Sequence, residues 1–367
     1  MNRTVRIVTI CIILVFFNQF IAHAQTDDVI FVESQAQLDA LTEPGGALYQ
    51  KNTIEGSLYI GNRSEGSDIM NLKPLASITS IKGALYLMSN LKLISLDGLE
   101  GIKEVESIYI RGNSLLTSLA GLSNITSLNG DLEIAHNTDL ISLSGLDNLG
   151  LIKGYFELFL NSSLSSLSGL NKLTQIGEYL MIDDNDQLIS LADLGVTKLK
   201  RFVVKNNTAL ISLEGLQINS ANDIVISSNA ALTSLRGLEK IKKISEGIFI
   251  YKNQSLTSLS GLHCITTIGE DLNIWGNEAL TSLDGLRKIT KIGGELHIAD
   301  NGRLTSVDGL ENVISVKALS IKNNVHLNDF CAIGELRIKG KVESYRIKYN
   351  RYNPTLVELR DSRCSDD

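Results

Sequence analysis

Two columns of residues run through this chain in register. A serine opens each SLxGL-type block at Ser95, Ser118, Ser142, Ser166, Ser190, Ser212, Ser234, Ser258, Ser282 and Ser306, in steps of 22 to 24 residues. An asparagine closes each LxIxxN block at Asn90, Asn113, Asn137, Asn161, Asn185, Asn207, Asn229, Asn253, Asn277, Asn301 and Asn324. A period of this size is the signature of a solenoid, because each repeat is too small to bury its own apolar face. The burial one coil provides is less than the cost of ordering its backbone, so neighbours must share a core.

The spacing inside one coil selects the secondary structure. In Leu272-Asn273-Ile274-Trp275, Leu272 and Ile274 point one way and Asn273 and Trp275 the other, the alternation of a strand. One strand per coil builds a parallel sheet that rises about 4.8 Å per coil. Leu256, Leu259, Leu262, Ile265 and Ile268 line the remaining walls, and no 3.6-residue stripe is present to make crossover helices. The predicted fold is mainly β: a right-handed parallel β-solenoid of about eleven coils over 53–326, capped at both ends.

The asparagine column (Asn137, Asn161, Asn185, Asn229, Asn253, Asn277 and Asn301 among its members) is expected to turn inward after the strand. There its amides can satisfy backbone groups of the coils above and below. The glycine of SLxGL marks a tight turn or a positive φ. Asp193 replaces it in SLADL, a substitution that such a position tolerates. With two 22-residue steps adjoining it, an irregularity is expected near 190–230.

The pattern LxSLxGLxxIxxIxGxLxIxxN, carried from Ile54 to Asn324, resembles the receptor L-domain, a relative of the leucine-rich repeats. The segment NDFCAI…YNRYNPTLVELRDSRC resembles the closing piece of secreted bacterial proteins of this type. The resemblance implies a recognition scaffold and no shared reaction.

Residues 1–24 read as a secretory signal: Arg3 and Arg6, an apolar run from Ile7 to Phe17, then the cleavage site Ala22-His23-Ala24. Cleavage changes the net charge from −7 to −9, which argues against nucleic acid or an anionic membrane as partner. No later run is long enough to span a bilayer, so localisation is expected to be periplasmic, cell-surface or secreted. Residues 25–52 form an N-terminal cap, with a strand at Val29 to Val32 and a helix capped by Ser34; 327–367 form the C-terminal cap. Cys11 leaves with the signal, and Cys331 and Cys364 flank the second cap, so export permits a bridge between them. Cys264 remains as an inert free thiol. The bases Arg337, Lys339, Lys341, Arg346, Lys348 and Arg351 make a solvated end.

Residues capable of chemistry fall on periodic or scattered positions. His136, His263, His297 and His326 show no metal-ligand spacing, and no nucleophile elbow, phosphate loop or dinucleotide fingerprint is present. Asp183-Asp184-Asn185-Asp186 is the densest acidic run, but it lacks the ordered spacing of a calcium loop. No enzyme activity, cofactor or metal is expected.

The outward sheet face is the candidate site. Tyr59, Tyr86 and Tyr109 fall in one column, continued by Phe249, Asn273 and His297; Tyr251 and Trp275 are neighbours in the next. Exposed aromatics on a rigid sheet hold sugar rings or a partner's side chains, although β-propensity alone also places aromatics there. The expectation is an exported recognition or adhesion module that binds an extracellular protein or glycan. The alternatives are a structural envelope or matrix protein and, more distantly, a carbohydrate-active enzyme.

Overall fold

The computed structural model describes residues 29–62, 66–334 and 342–366. The predicted signal segment 1–24 and three of the end-cap bases, Arg337, Lys339 and Lys341, lie outside these residues. Parallel strands stack as a β-solenoid of about thirteen turns.

The main wall comprises β1 (Val29–Val32), β2 (Ser57–Gly61), β3 (Leu85–Met88), β4 (Ile108–Arg111), β5 (Leu132–Ala135), β6 (Phe156–Phe159), β7 (Tyr179–Asp183), β8 (Arg201–Lys205), β9 (Asp223–Ser227), β10 (Ile248–Tyr251), β11 (Leu272–Trp275), β12 (Lys291–Ala299), β13 (Ser315–Lys322) and β14 (Ser344–Lys348). Each pairs in parallel with the next, so equivalent repeat positions become neighbours: Ile250 meets Ile274, and Ile274 meets Ile298. A second wall consists of two-residue strands such as Thr53–Ile54, Ser80–Ile81 and Glu104–Val105. The aliphatic positions of all walls converge in one continuous core.

The short coils show where a solenoid can lose residues. Near 190–230 the main wall continues unbroken, with Phe202 opposite Ile224, while the second wall shrinks to single bridges at Gln175–Lys198 and Lys198–Ser220. The expected irregularity is therefore confined to one wall. At Gly237 the chain has φ +116°, and a Cβ would lie 1.9 Å from the Leu213 carbonyl oxygen. Asp193 does not adopt that conformation; it keeps a negative φ. Gly121 and Gly285 in 24-residue coils likewise lack a left-handed turn, whereas Gly215 in a 22-residue coil has φ +97°; the Asp193 carboxylate accepts a hydrogen bond from Ser166 Oγ at 3.2 Å.

Inside the corner after the main wall, the asparagines form a ladder with every side chain from Asn90 to Asn324 fully buried. Asn277 is representative. Its backbone N–H donates to Asn301 Oδ1 at 3.1 Å, and its Nδ2 donates to the Ile250 carbonyl at 3.0 Å and to Asn301 Oδ1. Each amide thus satisfies groups in the coils before and after it, where no water reaches. The ladder continues inside the C-terminal cap, where Tyr345-Arg346-Ile347-Lys348-Tyr349-Asn350 repeats the LxIxxN block with tyrosine for leucine: Asn324 donates to Asn350, and Asn350 to Asn353. The residue before each ladder asparagine is left-handed, including Leu160 at φ +57° and Lys252 at φ +57°. Such conformations are unfavourable for branched or long side chains, and the ladder's hydrogen bonds hold them in place.

The caps close the ends of the core. Helix α1 (Gln35–Thr42) begins at Ser34, whose Oγ accepts the Gln37 N–H, and inserts Leu38 into the core. At the other end α2 (Leu356–Arg360) starts with a capping box between Thr355 and Glu358. A disulfide joins Cys331 to Cys364 across 33 residues, and Cys264 is a half-buried free thiol. No helix among the described residues is long and apolar enough to cross a membrane.

Candidate functional site

Three files of side chains point outward from the main wall: the residue before the first inward position, the residue between the two inward positions, and the residue after the second. Parallel pairing places like positions side by side across the sheet, with a register shift between Ile292 and Glu295 on β12 that precedes its inward positions Leu296 and Ile298. Three aromatic groups stand on this face.

The first follows the middle file from the N-terminal end. The ring centroids of Phe31 and Tyr59 are 5.5 Å apart and those of Tyr59 and Tyr86 5.9 Å; Tyr86 and Tyr109 are stacked at 4.8 Å and 7°. The Tyr109 hydroxyl donates to Asp131 Oδ2 at 3.1 Å. Burial, with the nearby Asp131 carboxylate, pushes its phenol above the usual range.

The second group combines aromatics with carboxylates. Tyr155 and Tyr179 stack at 5.1 Å and 11°. They occupy the file before the inward position, and Asp131 precedes them in that file. Beside them the middle file changes to Glu133 and Glu157, in register with each other on β5 and β6. Glu157 accepts the Tyr179 hydroxyl at 2.6 Å; burial raises its carboxyl, and the Tyr179 bond opposes that shift. Glu133 is 5% exposed and pairs with Arg111 at 3.5 Å, and the Arg111 guanidinium lies 5.5 Å from the Phe159 centroid. Burial is also the main cause that raises the Tyr155 and Tyr179 phenols above the usual range.

The third group is Tyr251 and Trp275, stacked at 4.9 Å and 1°, with Lys252 Nζ 5.1 Å from the Trp275 centroid. Phe249 and His297 lie one strand either side of Asn273 in the middle file, so the structure places them on the same face without contact between them. The Phe249 ring lies over Gly247, where a Cβ would come within 2.6 Å of it. His297 Nδ1 is 3.6 Å from Glu295, and its hydrogen bond holds the Glu295 carboxyl below the usual range. Between the second and third groups, Asp223 is 4% exposed and pairs with Arg201 at 2.7 Å through Oδ2, while Oδ1 has no partner. Burial raises this carboxyl to about 6, against the Arg201 charge.

The seven aromatic and histidine positions read from the sequence thus divide into two separated groups. Tyr59, Tyr86 and Tyr109 belong to the first, and Phe249, Tyr251, Trp275 and His297 to the region of the third. The middle group was missed. Its signal was available: Tyr155 and Tyr179 are 24 residues apart, at one repeat position. The acidic run at 183–186 is spent on internal contacts: Asp183 holds Lys205 and Asn206, Asp186 holds Thr208, and Asn185 belongs to the ladder. Among the described residues no group of three or more His, Cys, Asp or Glu could hold a metal ion. A shallow cavity of about 740 Å³ lies past the ladder corner, bordered by Glu278, Asp300, Arg303 and His326. It opens broadly to solvent and contains none of the aromatic groups.

Comparison with known proteins finds no matching family model, curated protein or solved structure.

Proposed function

We propose that the chain is an exported recognition module of L-domain type that holds an extracellular glycan on the outward face of its main wall, without catalysing a reaction. The observation that supports this reading most is the set of three aromatic groups on one face of a single sheet. Each of them contains a nearly parallel ring pair bordered by polar side chains. Aromatic planes take the apolar faces of sugar rings, and neighbouring carboxylates and amides accept or donate to their hydroxyls. Rigidity adds to this, since a face built on the ladder and core loses little freedom on binding. A protein ligand would use the same surface through its own aromatic and basic side chains. Export is supported by the sequence signal and is compatible with the Cys331–Cys364 bridge.

A glycan array, followed by titration of the strongest ligand, tests the reading. Trp275 is the only tryptophan, so its emission reports occupation of the third group directly. The double substitution Tyr251→Ala/Trp275→Ala is expected to lower affinity at least tenfold for a ligand seated there, while the melting temperature stays nearly unchanged. Unaltered binding by that variant, and by Tyr155→Ala/Tyr179→Ala, would refute the assignment of the face. A structural envelope or matrix role is the second reading, and the strand edges at the two ends of the rod support it.

A further inference from the structure

The caps cover the core but leave the main wall with two outer strands. β1 pairs only with β2, and β14 only with β13, among the described residues. An unprotected strand edge is a template for another chain. All strands in this wall run parallel and are related by one repeated step, so the contact available to a second copy can be read from the molecule's own pairing. β1 sets Val29 against Ser57 and Phe31 against Tyr59; β13 sets Ala318 against Ser344, Ser320 against Arg346 and Lys322 against Lys348. One further step of the same kind lays β1 of a second copy on β14 of the first. Ile30 then meets Tyr345, Val32 meets Ile347, Phe31 meets Arg346, and Glu33 meets Lys348.

Every one of these pairs is complementary. Ile30, Tyr345 and Ile347 are half-buried apolar residues that pack on the two ends of the core. Phe31 is 63% exposed despite its contact with Tyr59 on one side, and Arg346 is an exposed guanidinium suited to its open ring face. The charges also oppose: Glu33, Asp39 and Glu43 are exposed at the β1 end, and Lys322, Arg346 and Lys348 belong to the β14 end. We infer that the protein associates head to tail with further copies of itself, β14 of one molecule on β1 of the next, extending the parallel wall from molecule to molecule. Such a contact uses different surfaces on the two partners, so it does not close after two copies but propagates as a filament.

Sedimentation velocity of the purified chain over a range of concentrations, at low and at high salt, tests this. Species beyond the dimer should grow with concentration at low salt and shrink at high salt. Glu33→Lys and Lys348→Glu should each weaken association about tenfold, and the double exchange should restore it. Phe31→Lys, at an exposed position whose loss does not touch the core, should disrupt association independently. A monomer at all concentrations would overturn the proposal. So would growth that stops at a dimer, since that is the mark of a two-fold contact, or a double exchange that fails to restore what the single ones lose.

Discussion

The ladder makes a quantitative claim about stability, and Asn253→Ala tests it in the middle of the rod. Asn253 is fully buried. Its Oδ1 accepts the Asn229 N–H at 3.1 Å and Asn229 Nδ2 at 3.3 Å, and its Nδ2 donates to the Ile226 carbonyl at 3.0 Å. Alanine strands the Asn229 N–H and deprives the Ile226 carbonyl of a donor, in a corner closed to water. Each stranded buried group costs about 1–3 kcal/mol, so the loss for the two should be about 2–6 kcal/mol. Urea unfolding followed by circular dichroism measures it. Asn312→Ala, which removes one exposed side-chain bond to the Arg287 carbonyl, is the control and should stay within about 0.5 kcal/mol of wild type. Asn253→Asp adds a sign. It keeps an acceptor for Asn229 but turns a charge toward the Ile226 carbonyl, so its defect should be larger at neutral pH than in acid. A loss at Asn253→Ala no greater than at Asn312→Ala would refute the claim that the ladder holds the coils together.

Three further outcomes follow from the geometry. Burial raises the Asp223 carboxyl from 3.8 to about 6, so this group opposes folding above pH 6, and the penalty disappears as pH falls below 3.8. Asp223→Asn should therefore stabilise the protein by up to about 3 kcal/mol at pH 8 and by little near pH 3, as melting curves across pH will show. Cys364→Ser, which opens the 33-residue loop to Cys331, should cost about 3–4 kcal/mol in urea unfolding, with a new thiol detectable by titration. Gly237→Ala combines a left-handed φ with a 1.9 Å clash and should destabilise by more than about 1 kcal/mol; Gly302→Ala, where a Cβ meets nothing within 4 Å, should be nearly neutral in the same assay.

How far the sequence carries the fold depends on what each residue answers to. The inward leucines, isoleucines and ladder asparagines answer to the same environment in every coil, so their identities repeat and their places are legible. The backbone at Asp193 is not legible in this way. The same repeat position is left-handed at Gly215 and Gly237 but not at Gly121 or Gly285, and nothing in SLADL states which of the two conformations it takes. The outward positions answer to neighbours in adjacent coils and vary freely. Tyr59, Tyr86 and Tyr109 could be aligned because they share one file. The Tyr155–Tyr179 pair and the Glu133–Glu157 neighbours become one site only when two files are seen side by side. Asn350 shows the reverse limit: it closes Tyr345-Arg346-Ile347-Lys348-Tyr349-Asn350, one more LxIxxN block whose leucine is replaced by tyrosine, so the ladder continues where that single substitution hides the motif.

The ladder also determines how the rod would respond to a pull along its axis. Successive coils are joined by the ladder amides, by strand pairing on the main and second walls and by the shared core, and the strand pairing links each coil only to its neighbours. Tension would therefore detach turns one after another from an end, each freeing roughly 80 Å of chain for a 24-residue coil. The bridge between Cys331 and Cys364 would shield the C-terminal cap from extension, so release would proceed most readily from the opposite end. An anchored molecule of this kind would behave as an extensible tether that yields in equal lengths.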